Sequence, residues 1–180
     1  MVSLVGGKWT TFRAEGEAMS DKVLGLLGKT RKVSTKGSII TGGEGYPNTP
    51  EARAKWLAAN LPEFTPERAE ALLERYGTRA IDVKQYIAAH GDDSPVADGA
   101  LSTGELAYQV ENEQVVHLID VLLRRTSIAF VGDATLEVVQ EIADALSPIL
   151  GWTKTQRDAE VRATRDILVE EHGLDLPPVK

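Results

Sequence analysis

From residue 49 to residue 172 the sequence is punctuated almost throughout by helix starts and helix stops, and this punctuation restricts the chain to a mainly α architecture. Thr49-Pro50-Glu51 supplies an N-cap, a proline at the first helical position and an acid in the first turn. The helix it opens carries Trp56, Leu57 and Leu61 and stops at Pro62. Thr65-Pro66-Glu67 repeats the start; Ala69, Leu72, Leu73 and Tyr76 share one face, and Gly77 ends it. Thr78 opens a third helix with Ile81, Val83, Tyr86 and Ile87, closing near Gly91, and residues 92–99 form a loop around Pro95. Residues 105–110 read as a short helix. Residues 113–125 read as a core-facing one, because Val115, Val116, Ile119, Leu122 and Leu123 recur close to i, i+1, i+4, i+7 and i+8. Ile128, Phe130 and Val131 lead into a turn at Gly132. Asp133 or Thr135 caps a helix with Leu136, Val139, Ile142, Ala143 and Leu146, ended by Pro148 and Gly151. A last helix spans about 153–172 with Val161, Ile167 and Leu168 on its apolar stripe.

The opening has a different grammar. Val2, Leu4 and Val5 suit a short strand, Gly6-Gly7 a turn, and residues 10–27 a helix closed by Gly28. Strand, turn and helix in that order belong to an α/β domain. Nothing later supplies a strong strand to pair with residues 2–5, and a lone strand cannot satisfy its own backbone groups. Residues 1–27 are therefore expected to be the tail of a missing domain. Residues 28–48, with Gly37, Gly42, Gly43, Gly45 and Pro47 around Ile39-Ile40, read as a connector laid over another surface. Residues 49–173 form the helical C-terminal domain and 174–180 a tail. The fold class expected is mainly α, preceded by an orphan strand-turn-helix.

Acidic residues outnumber basic ones 27 to 20, and the resulting charge of -7 argues against a nucleic-acid partner, whose phosphates need clustered Lys and Arg. No apolar run approaches the roughly 20 residues of a membrane span. The apolar start is cut at Gly6, short of the about 7–15 residues of a secretory signal. The absence of cysteine removes disulfides, thiol nucleophiles and Cys-based zinc sites, and fits a cytoplasmic protein.

Gly6-Gly7-Lys8-Trp9-Thr10-Thr11 is the stretch richest in chemistry. It is not a phosphate-binding P-loop, because Val2 stands at the first glycine and Trp9 follows the lysine. Two glycines nevertheless let a ligand approach the backbone, the amides of the following helix favour an anion, and Lys8 adds a full charge at that mouth. A plain strand-to-helix turn with a solvated lysine accounts for the same residues. His90, His117 and His172 lack metal-ligand spacing, so no metal site is expected. No G-x-S-x-G elbow occurs. Arg124-Arg125 either neutralises the end of its own helix or docks the domain on a partner. The acid-rich residues 105–113 read as a solvated face, and Trp9, Trp56 and Trp152 as core or interface anchors.

The stretch from Gly6 to Arg13 resembles a signature of FAD-dependent glycerol-3-phosphate dehydrogenases and the related glycerophosphate oxidases: a diglycine, a lysine, a short polar stretch, then tyrosine-arginine. Gly42-Gly43, Tyr76-Gly77, residues 105–125 leading into Arg125-Thr126, and Leu150-Gly151-Trp152 with Arg157 and Glu160 resemble that family's C-terminal region, in the same order. Phe12 departs from the usual tyrosine, Ser127 from a basic residue, and Gly16 from alanine at a cost of about 1 kcal/mol to the helix. The resemblance implies an N-terminal part that binds FAD on a Rossmann-like fold and a helical C-terminal cap. It implies that Gly6 and Gly7 are cofactor-binding, their amides against the flavin ring, and that Lys8 is substrate-binding, near the glycerol phosphate. No residue of this chain is assigned a catalytic role. The parent enzyme would oxidise sn-glycerol 3-phosphate to dihydroxyacetone phosphate, with quinone or oxygen as acceptor. These residues alone are expected to be inactive and to bind no FAD, since no G-x-G-x-x-G occurs among them. The partner expected is the missing N-terminal FAD domain of the same chain. Peripheral membrane association and homo-oligomerisation of the parent stay open, as does a competing reading as a stand-alone helical protein-interaction module.

Overall fold

The computed structural model describes residues 2–179. Met1, where the expected tail of the missing domain begins, and Lys180, where the expected C-terminal tail ends, lie outside the described residues. The chain divides into two compact units, Met1–Glu44 and Gly45–Lys180.

In the first unit a 3₁₀ turn, Trp9–Thr11, runs into α1 (Phe12–Leu26). Gly28, at φ +67°, ends the helix: its N–H bonds Gly25 O at 3.1 Å and that of Lys29 bonds Leu24 O at 2.8 Å. The strand expected at Val2, Leu4 and Val5 does not form. Residues 2–8 carry no regular structure, because no described strand of this unit offers them a ladder. No residue of α1 is buried. The connector returns beside α1 through polar bonds. The Glu17 carboxylate accepts from Ser34 Oγ (2.6 Å), Thr35 N (2.6 Å) and Arg31 Nη1 (3.0 Å) and pairs with Arg13 (3.0 Å), while Arg31 grips Asp21 with two N–H groups at 2.8 and 3.1 Å.

Those partners, first Ser34 and then Arg13 and the Thr35 amide, hold Glu17 at a pKa of about 2, below its usual 4.5. A depressed carboxylate stabilises the fold above its unfolded value and loses that contribution as pH falls through the folded one. The connector is therefore expected to stay on α1 above about pH 4.5 and to come away between there and about pH 2. The Thr35 amide resonance reports this directly. It should move across that window, and Glu17→Gln should displace it at neutral pH; a Thr35 amide indifferent to both would show that the bond is not formed in solution.

The second unit contains α2 (Pro50–Asn60), α3 (Pro66–Tyr76), α4 (Ala80–His90), a hairpin of β1 (Pro95–Val96) and β2 (Leu101–Ser102), and α5 (Thr103–Glu113). There follow α6 (Leu118–Asp120), which continues into a π-helical turn Val121–Arg125, then α7 (Ile128–Val131), α8 (Leu136–Leu150) and α9 (Lys154–Glu170). The threonine caps act as their sequence demands. Thr49, Thr65, Thr135 and Thr153 accept the N–H of Ala52, Arg68, Val138 and Gln156 at 3.2–3.3 Å. Two apolar clusters result. One joins α2, α3 and α4 through Leu61, Leu72, Val83 and Ile87; the other joins α6, α8 and α9 through Leu118, Ile142, Leu146, Val161 and Leu168. α5 belongs to both, with Tyr108 in the first and Leu106 in the second. The hairpin is antiparallel, Pro95 opposite Ser102 and Val96 opposite Leu101, inside and beside the segment expected as a loop.

Several expectations need correction. Residues 113–125 are not one helix. α5 ends at Glu113, Gln114 turns left-handed at φ +58°, and the Asp120 carboxylate accepts the N–H groups of Val116 (3.0 Å) and His117 (2.9 Å) to begin α6, which leaves Val116 exposed. Arg125 serves a second helix end besides its own, where its Nη1–H donates to Arg124 O at 3.1 Å. Its Nε–H donates to Glu113 O at 2.9 Å and so satisfies the last carbonyl of α5. Pro148 does not stop α8, whose final turn tolerates one missing N–H and reaches Leu150 before Gly151 turns left-handed. Thr78 lies within a 3₁₀ turn, Gly77–Arg79, ahead of α4. The C-terminal residues are docked: Leu176 is buried, and Arg165 donates to the carbonyls of Leu176 (2.8 Å) and Pro177 (3.2 Å).

Candidate functional site

Gly6, Gly7 and Lys8 lie in one exposed turn at the start of the first unit's helix. Gly6 at φ +84° and Gly7 at φ +108° occupy the left-handed region, which a side chain would strain. The Lys8 N–H donates to Thr11 Oγ1 at 3.2 Å, and Lys8 O receives the Thr11 N–H at 2.9 Å. The single Thr11 hydroxyl proton is shared between Lys8 O (2.8 Å) and the Glu15 carboxylate. Above Gly6 there is open space, whereas a Cβ on Gly7 would run into the Glu15 carboxylate. The helix N-terminus thus already holds one anion, supplied by its own chain. Glu15 escaped the sequence reading, although Thr11 and Glu15 stand four apart and so share a helix face. Among the described residues no carboxylate pairs with the Lys8 ammonium.

The residues that flank this segment in sequence include exposed apolar side chains, Leu4, Val5, Trp9 and Phe12. Trp9 is 94% exposed and anchors no core; Trp56 and Trp152 do pack against the second unit's clusters. Phe12, Val33, Ile39 and Ile40 line a cleft of about 620 Å³ whose polar members are Arg13, Glu17, Ser20, Arg31, Thr35 and Ser38. Exposed apolar surface gathered in this way marks an interaction face rather than a finished exterior.

In the second unit the acid-rich α5 is not the solvated face expected. Glu105 is fully buried, 0% exposed. Its carboxylate accepts from Arg68 Nη1 at 2.6 Å, from Arg75 Nη1 and from the Tyr76 hydroxyl at 2.8 Å, and its N–H is capped by Ser102 Oγ at 3.2 Å. Burial drives the Tyr76 phenol far above its usual pKa, with the Glu105 charge adding to it. Gln109 Nε2 donates to Tyr76 Oη at 2.8 Å. The histidines are separated: His90 stacks on Tyr86 at 4.0 Å, and His117 Nδ1 lies 2.8 Å from Glu160, whose hydrogen bond raises its pKa. Among the described residues no group of three His, Asp or Glu side chains is placed to hold a metal ion.

Residues 33–157 match the family model of the C-terminal domain of alpha-glycerophosphate oxidase. A glycerol-3-phosphate dehydrogenase of Mycobacterium leprae is 33% identical, with 97% of this chain and 30% of the relative covered. One from Synechocystis sp. is 30% identical over 90% of this chain and 30% of the relative. An alpha-glycerophosphate oxidase of Lactococcus lactis is 27% identical over 98% of this chain and 30% of the relative. The chain therefore spans less than a third of the length of these relatives.

Proposed function

The chain belongs to the family of the C-terminal domain of alpha-glycerophosphate oxidase, and we propose that it is the C-terminal part of an FAD-dependent glycerol-3-phosphate dehydrogenase. The parent reaction is the oxidation of sn-glycerol 3-phosphate to dihydroxyacetone phosphate. One observation carries this reading beyond the family: the Gly-Gly-Lys segment stands at a helix start and is flanked in sequence by Leu4, Val5, Trp9 and Phe12, all exposed. The glycines fit a flat cofactor. The space over Gly6 is open, and that over Gly7 holds the far end of the Glu15 side chain, which would have to rotate away. FAD held there by Gly6 and Gly7 would supply the two-electron acceptor for oxidation of the substrate's secondary alcohol, the hydroxyl proton passing to solvent. Gly6 and Gly7 present backbone amides without side chains in the way. Lys8 holds the phosphate end by charge and leaves the approach to the carbon unobstructed. Phe12, Val33, Ile39 and Ile40 pack on the N-terminal FAD domain of the same protein, and the domain at residues 49–173 serves as its helical cap. A cytoplasmic location fits the cysteine-free sequence. No helix among the described residues is long and apolar enough to cross a membrane.

The test compares this chain alone with the same chain joined to the FAD-binding part of a glycerol-3-phosphate dehydrogenase. Alone it should be colourless and without turnover, because it lacks a dinucleotide-binding fingerprint. Joined, it should hold flavin that bleaches on addition of glycerol 3-phosphate. Stoichiometric flavin or turnover in the isolated chain would contradict the reading, and so would a joined protein that holds flavin yet does not respond to the substrate.

A further inference from the structure

Three guanidiniums meet at one cleft of the second unit. Arg75 of α3 and Arg124 and Arg125 of the π-helical turn line it together with Glu74, Thr126 and Ser127, and Ala71 and Phe130 form its apolar wall. An adjoining lobe is built around the same three arginines, and each lobe has a volume of about 400 Å³. Like charges do not gather unaided, and in a chain of net charge -7 this gathering is held by specific anchors. Arg75 is held by Glu105 and by Ala100 O (3.1 Å), Arg125 by Glu113 O (2.9 Å) and Arg124 O (3.1 Å), and Arg124 by Asp120.

These anchors fix each guanidinium without exhausting it. A guanidinium carries five N–H donors, so unused donors remain on all three, and no partner engages the Ser127 hydroxyl among the described residues. The nearby carboxylates offset part of this charge: Glu105 pairs with Arg75 as well as Arg68, Asp120 pairs with Arg124, Glu113 lies 3.7 Å from Arg125, and Glu74 on the rim pairs with Arg53 at 3.1 Å. What the cleft offers a ligand is the unused N–H donors. Preorganised arginine forks with free donors match tetrahedral oxyanions, and little side-chain entropy remains to be lost on binding.

We propose that the Arg75–Arg124–Arg125–Ser127 cleft binds a compact oxyanion of the phosphate monoester class, with Ala71 and Phe130 receiving its organic part. A free ester and the headgroup of an anionic lipid share that chemistry. The site is independent of the proposed dehydrogenase activity and is open to test on this chain as it stands.

Inorganic phosphate is the first probe, titrated into the purified chain at constant ionic strength with chloride as control and followed by calorimetry and thermal melting. Arg124 is the residue to change, because its side chain is 58% exposed and its removal leaves Asp120 bonded to the Val116 and His117 amides, so that circular dichroism should show an intact fold. Phosphate should bind and raise Tm beyond chloride, and Arg124→Ala should weaken it by about tenfold or more, with Ser127→Ala giving a smaller loss. Sedimentation with phosphatidic acid vesicles, against phosphatidylcholine vesicles, separates the two sources. Arg124-dependent retention that inorganic phosphate displaces assigns the lipid headgroup, and a phosphate response without retention assigns a free ester. The proposal is overturned when neither probe gives binding that depends on Arg124.

Discussion

Replacing Glu105 by alanine is expected to cost the second unit about 3–5 kcal/mol, the scale for breaking a buried ion pair from one side. The loss has an identifiable origin. Glu105 is fully buried and takes hydrogen bonds from two arginines and a tyrosine that α3 presents to α5. Without it Arg68 and Arg75, only 14% and 20% exposed, keep their charge and lose their main counter-ion, and the Tyr76 hydroxyl loses its acceptor. Domain stabilities run to about 5–15 kcal/mol, so this one change should bring the unit close to unfolding and lower Tm by on the order of 10 °C. Urea denaturation with an unchanged slope is the appropriate readout. Glu105→Gln keeps one acceptor oxygen but turns an amide NH2 towards a guanidinium, so its loss should be intermediate. A loss below about 1 kcal/mol for alanine would mean that both guanidiniums escape to water. Such a network is weak evidence for stability as such; its contribution is to fix where α3 sits on α5. It also holds Arg75 in the cleft, so Glu105→Gln should weaken phosphate there as well.

Features that act over a few residues were legible in the sequence. Each threonine cap rests on its own N3 amide, the apolar stripe of α3 buries the residues its spacing selects, and that of α8 buries all but the half-buried Leu136. What escaped depends on partners far along the chain or on single backbone angles. Glu105 looked like one acid of a solvated run because Arg68 and Arg75 lie 37 and 30 residues away, and composition is blind to that pairing. Residues 113–125 kept a helical apolar period across a break that one left-handed residue, Gln114, and one cap, Asp120, create. The β1–β2 hairpin is too short for alternation to register. Residues 2–5 have strand-like side chains, yet a strand exists only when another strand completes it. Around the Gly-Gly-Lys turn the need for glycine was readable, because both φ angles are positive, but the carboxylate over Gly7 was not.

Replacing Lys8 by alanine should lower the parent enzyme's kcat/KM for glycerol 3-phosphate about 10- to 150-fold, the equivalent of losing one charge-assisted hydrogen bond of roughly 1.5–3 kcal/mol. In the proposed enzyme the substrate's phosphate would be a dianion held next to an uncharged ring, and a cation at a helix N-terminus beside two side-chain-free residues would meet that need. Lys8 is exposed, and among the described residues no carboxylate occupies its ammonium, so its charge is available to a ligand. Flavin content should be unchanged, because Gly6 and Gly7 and their backbone are untouched. Glu15 gives the complementary result. Its carboxylate sits over Gly7 and would repel a bound anion, so in the proposed site Glu15→Gln should improve KM for the dianion where Lys8→Ala worsens it. A solvated lysine with no ligand predicts no change in either constant. Unchanged kcat/KM in Lys8→Ala at full flavin occupancy would leave Lys8 a surface residue and would remove this turn from the substrate site.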